Sequence, residues 1–164
     1  ALDEPRYLRW AEQALQGLDA RLRNPDGGYY HYRPDGGEPR LAGYLPAQVW
    51  PAAAWWMYHA ATGDARAQRR GSQLLKHIAD YYSAALGGFT ERLEPEGEPW
   101  TDPRTHAALA WLLSGPARAP IVPEAVLPSD RRQQWMEAAL DHLQLISGGD
   151  PDDMALGVLA QRRN

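Results

Sequence analysis

Leu41-Ala42-Gly43-Tyr44-Leu45-Pro46-Ala47-Gln48-Val49-Trp50-Pro51-Ala52-Ala53-Ala54-Trp55-Trp56-Met57-Tyr58-His59-Ala60-Ala61-Thr62-Gly63-Asp64 is the stretch that decides the fold. Pro51–Ala61 is apolar almost all the way round. A helix of that kind must be covered on every face, which makes it a central element. The Trp50-Pro51 step predicts a start near Pro51, because proline is tolerated in a first turn. Gly63 suits the left-handed residue after a helix end, and Asp64 suits the cap that starts the next helix.

The flanks are amphipathic. From about Glu4 to Arg23, Leu8, Ala11, Leu15, Leu18 and Leu22 fall on one helical stripe. From Asp64 to about Ala85, Leu74, Leu75, Ile78 and Tyr82 do the same, and Gly87-Gly88 closes that helix. Asp102-Pro103 reads as cap plus first-turn proline, followed by the apolar run Ala107–Leu113. Residues 115–129 carry four prolines and read as a linker. A fifth helix starts at Ser129 or Asp130, with Trp135, Ala139, Leu143 and Ile146 on one face. A sixth is expected after Asp150-Pro151, with Met154–Ala160 mostly apolar. The reading is one all-α domain over 1–164, built of hairpins at about 4–61, 64–114 and 130–161.

The alternation carries an internal repeat. At an offset of 60, Arg6, Arg9, Gln13, Leu15, Gly27, Gly28, Gly37, Glu38 and Pro39 match Arg66, Arg69, Gln73, Leu75, Gly87, Gly88, Gly97, Glu98 and Pro99, and Tyr29 meets Phe89. At an offset of 125, Trp10, Glu12, Ala14 and Leu15 match Trp135, Glu137, Ala139 and Leu140. Amphipathic helices would form an outer layer and apolar helices an inner one. This pattern, with Gly-Gly-Tyr-Tyr at 27–30, Thr-Gly-Asp at 62–64 and Gly-Gly-Phe at 87–89, resembles the α/α-toroid superfamily. That superfamily holds the six-hairpin glycosidases and the N-acylglucosamine 2-epimerase-like proteins. The resemblance covers about 4–114 well and 130–160 loosely, and implies a partial toroid of three hairpins. A part-ring should leave one edge of its second and sixth helices without a neighbour. Further sequence, a second copy, a partner chain or the 115–129 linker would have to cover that apolar surface. The linker is the least suited, having few large side chains.

The resemblance also implies a cleft where outer helices hand over to inner ones, at 24–50, 87–103 and 147–151. Tyr30, Tyr32, Tyr44, Gln48, Trp50 and Trp100 would then bind a carbohydrate, aromatic faces stacking on the sugar. Glycoside hydrolysis needs two carboxylates at a set separation, for which Glu91 and Glu94 are the candidates. Epimerase-like relatives use histidines as acid and base, which brings in His31 and His106. The same residues can equally be packing aromatics and a solvated acidic loop, and capping alone explains Asp102. Two function classes therefore stand: a glycosidase-like enzyme, and a non-catalytic module that binds glycan or protein.

Composition bounds the rest. The chain has 164 residues, no cysteine, seven Trp, eight Tyr and one Phe. Thiol and disulfide chemistry are excluded and the compartment stays open. Net charge is −4, which argues against a general nucleic-acid footprint. No stretch nears the ~20 apolar residues of a membrane helix. No HExxH spacing, phosphate loop or Gly-x-Ser-x-Gly elbow is present, so no metal or cofactor is expected.

Overall fold

In a computed structural model, residues 5–35, 37–90, 102–114 and 122–146 are described. They form α1 (Pro5–Leu22), α2 (Pro46–Thr62), α3 (Ala65–Ala79), β1 (Tyr82–Ser83), β2 (Gly88–Phe89), α4 (Pro103–Ser114) and α5 (Ser129–Ile146). The chain is mostly helical, as the alternation of patterns predicts. It divides into two compact units, 1–77 and 78–164. The expected sixth helix lies outside the described residues.

In the first unit, α2 starts five residues ahead of the sequence-based expectation. Pro46 takes the first turn, and the N–H groups of Gln48 and Val49 both donate to the Leu45 carbonyl. Pro51 is thus inside the helix, where it forfeits one backbone hydrogen bond but is itself buried. Gly63 closes α2 in the left-handed region at φ 73°, donating to the His59 carbonyl. The Asp64 carboxylate then accepts from Ala67 N at 2.8 Å and caps α3. The α2–α3 junction is therefore as the sequence predicts.

The core of this unit holds Leu15, Leu45, Val49, Ala52, Trp55, Trp56, Leu74 and Leu75. α3 comes so close to α2 that a Cβ on Gly71 would stand 2.6 Å from Trp56 Nε1. Two expectations are corrected. Ala54 is exposed and Tyr58 only half-buried, so α2 is not covered on every face. Its uncovered stripe runs through Trp50, Ala54, Met57 and Ala61, at helical spacing. Arg70, though charged, is buried at 4% exposure because a carboxylate meets it there.

In the second unit, α3 stops at Ala79 rather than near Ala85. A tight antiparallel pair replaces its last turns, with Tyr82 opposite Phe89 and Ser83 opposite Gly88. Gly87, at φ 63°, supplies the left-handed residue that this reversal needs. Phe89 is fully buried, its ring edge-on to Trp135 at 5.5 Å and to Tyr82 at 5.4 Å. α4 buries residues 105–110, 112 and 113 and packs along α5. Residues 122–128 are no plain spacer: Val122 and Leu127 are buried. Arg132 is half-buried because it donates to both the Val122 and Leu127 carbonyls.

The 60-residue repeat reappears as local geometry inside each unit. Arg23 bridges Tyr29 across a turn holding Gly27 at φ 96°, as Ser83 and Tyr82 pair with Gly88 and Phe89 across Gly87. Tyr29 and Phe89 are both buried.

Candidate functional site

Tyr29 anchors the loop that carries Tyr30, His31, Tyr32 and Tyr44. Its hydroxyl donates to Asp19 Oδ1 at 2.5 Å and accepts from Trp55 Nε1 at 3.0 Å. Arg70 closes on the same carboxylate, with Nε at 3.0 Å and Nη2 at 2.8 Å from Oδ1, and Arg66 reaches Oδ2 at 3.3 Å. Burial alone would raise the Asp19 carboxyl. The Tyr29 hydroxyl and the Arg70 guanidinium outweigh it and hold the carboxyl below its ordinary value. Burial, and then the Asp19 carboxylate, push the Tyr29 phenol above its own ordinary value.

The Tyr29 backbone is held just as firmly. Gln48 Oε1 accepts from Tyr29 N at 3.0 Å, and Gln48 Nε2 donates to the carbonyls of Tyr29 at 2.9 Å and Tyr44 at 3.2 Å. One side-chain amide thus pairs with a peptide as a neighbouring strand would. Gly28 leaves room for it, since a Cβ there would come within 2.7 Å of Oε1. Gln48 was expected at a binding cleft; it is 2% exposed and its amide is committed to backbone.

The other candidates fall into three groups. His31, Tyr32 and Tyr44 lie together: the His31 ring stacks on Tyr44 at 5.3 Å and stands edge-on to Tyr32 at 6.3 Å. His31 and Tyr32 are exposed, and Tyr30 is half-buried beside them in sequence. Trp50 is 52% exposed on the open stripe of α2. His106, in the second unit, is 2% exposed, with Nδ1 3.1 Å from the Asp102 carbonyl and its ring edge-on to Phe89. That imidazole packs at the start of α4. Asp102 is a cap, accepting from Arg104 N and Thr105 N, each at 3.2 Å. Glu91, Glu94 and Trp100 lie outside the described residues.

Among the described residues, α1 lines two concave surfaces. The larger, about 870 Å³, is a groove between α1 and α2. α1 supplies Tyr7, Leu8, Ala11, Leu15 and Leu18, and α2 supplies Trp50, Ala54, Met57, Tyr58 and Ala61. Both sets repeat every three to four residues over three turns, so the groove runs for about 17 Å at 1.5 Å per residue. Nearly every group lining it is hydrocarbon or aromatic, and no carboxylate is among them. The smaller pocket, about 530 Å³, lies where the loop meets Gln13, Gly17 and Arg21 of α1 and includes His31, Tyr32 and Arg33. The sequence reading missed Arg21 and Gln13, since on a helix periodicity alone they are solvent-facing residues.

Among the described residues, no group of three His, Asp or Glu side chains could hold a metal ion. Nor is any helix among them long and apolar enough to cross a membrane. No protein-family profile, curated protein or solved structure matches the chain.

Proposed function

We propose that the chain is a non-catalytic helical binding module whose α1–α2 groove takes the apolar face of one helix of a partner protein. The groove itself carries this reading. It is three turns long and apolar, with Trp50 and Met57 about half exposed on one wall and Tyr7 on the other. Large apolar side chains in contiguous exposure mark interaction surfaces rather than ordinary solvent-facing ones. A helix with apolar residues at i, i+3, i+4 and i+7 presents a matching ridge. A sugar needs directed hydrogen bonds, and this groove offers few. Calorimetric titration with amphipathic helical peptides of about twelve residues, long enough to span the groove at 1.5 Å per residue, tests the proposal. Ala54, exposed at mid-groove, provides the control. Peptides with that spacing should bind, and Ala54→Glu should abolish binding while leaving the fold intact. Failure of every such peptide, or equal binding by Ala54→Glu, refutes the proposal.

A second reading, glycan binding at the smaller pocket, is favoured by one observation. His31 and Tyr32 are exposed aromatic rings beside the side-chain amide of Gln13 and two guanidinium groups. Flat faces next to hydrogen-bond donors suit a sugar ring.

A further inference from the structure

The smaller pocket is cationic in a chain whose net charge is −4. Arg21, Arg33 and His31 all line it, and no Asp or Glu is among the lining residues. Arg21 is exposed and makes no hydrogen bond or ion pair among the described residues. Arg33 donates Nε to the Gly37 carbonyl at 2.9 Å, which fixes the guanidinium and leaves its two terminal nitrogens for a ligand. Two guanidinium forks from separate segments suit an oxyanion, because each presents paired N–H groups in a plane. The floor of the pocket includes Gly17, where a Cβ would meet nothing within 4 Å beyond its chain neighbours and its own helix backbone. Tyr32, 42% exposed, offers a ring face at the rim.

We propose that this pocket binds a small ring-bearing oxyanion, a carboxylate or phosphate held between Arg21 and Arg33 with the ring against Tyr32. The proposal rests on the reading of this pocket as a ligand site and adds the charge of the ligand. Gln13 would bond a hydroxyl of the ring.

Calorimetry on the full chain with four probes tests it: glucuronate, glucose 6-phosphate, glucose and inorganic phosphate. Both ring-bearing anions should bind at least tenfold more tightly than glucose, and more weakly as salt is raised. Arg21→Gln should weaken them about tenfold, the loss expected for one charge-assisted hydrogen bond. Gly17→Leu should block them by filling the floor, with helix content unchanged by circular dichroism, since the added side chain meets open space. Glucose binding as tightly as its anionic counterparts would overturn the charge assignment and leave the glycan reading standing. No binding by any probe would overturn both. Inorganic phosphate binding as tightly as glucose 6-phosphate would overturn the ring contact with Tyr32. Unchanged affinity in Arg21→Gln would overturn the role of the guanidiniums.

Discussion

Replacing Arg70 with methionine tests the buried ion pair that holds the loop to its helices. Arg70 and Asp19 have side chains 5% and 8% exposed, and two nitrogens of Arg70 lie within 3.0 Å of Asp19 Oδ1. Methionine refills most of the volume but leaves a buried carboxylate without its main cation. Breaking such a pair costs about 3–5 kcal/mol when nothing remains to compensate. Here the Tyr29 hydroxyl and Arg66 remain, the latter 54% exposed and screened by water. The expected loss is therefore nearer the value of charged hydrogen bonds, about 2–3 kcal/mol. Asp19→Leu together with Arg70→Met should lose less than the two single losses combined, by about 1–2 kcal/mol, because neither charge is then stranded. Urea unfolding followed by circular dichroism measures all four corners of the cycle. Arg69→Met, on the exposed face of α3, is the control and should stay within about 0.5 kcal/mol of wild type. Arg70→Met no worse than this control, or a double variant equal to the sum of its singles, would refute the role of the pair.

Three further outcomes follow from the same unit. Because the Asp19 carboxyl is held below its unfolded value of 3.8, its contribution is fully present above that pH. It is lost as pH falls through the lower folded value, and an acid titration of stability should show this component missing from Asp19→Asn. Gly71→Ala should destabilise by about 1–3 kcal/mol from overpacking against the buried Trp56 ring, despite alanine's helix preference of about 1 kcal/mol. A rise in melting temperature would contradict that. Gln48→Leu should lose about 2–4 kcal/mol by stranding the buried N–H and C=O of Tyr29, read by denaturant midpoint.

Helix identity and the α2–α3 junction were legible in the sequence because they rest on local chemistry. Gly63 and Asp64 turn the chain through bonds to residues no more than five positions away, His59, Thr62 and Ala67. The starts and stops that failed depend on distant partners. α2 gains a turn before Pro51 because Gln48, inside that turn, is bonded to Tyr29 nineteen residues away. α3 loses its last turns because Tyr81 and Phe89 are buried by a chain reversal that period-3.6 counting cannot register. Arg70 reads as a surface charge until Asp19, far off in sequence, is seen opposite it. Of the candidate residues, the sequence places His31, Tyr32 and Tyr44 in one loop, but their ring contacts depend on how that loop folds back on itself. The groove was not readable, because which residues of α2 stay open depends on where α1 lies.

Hydroxyl-radical footprinting of the chain, alone and with a bound amphipathic helical peptide, tests the docking groove most directly. Trp50, Met57 and Tyr7 are oxidisable, exposed and in the groove, whereas Tyr32 is exposed and outside it. The expected result is strong protection of Trp50 and Met57 with Tyr32 oxidised as before. Bound peptide with Trp50 and Met57 still fully reactive, or with Tyr32 equally protected, would contradict a helix seated between α1 and α2.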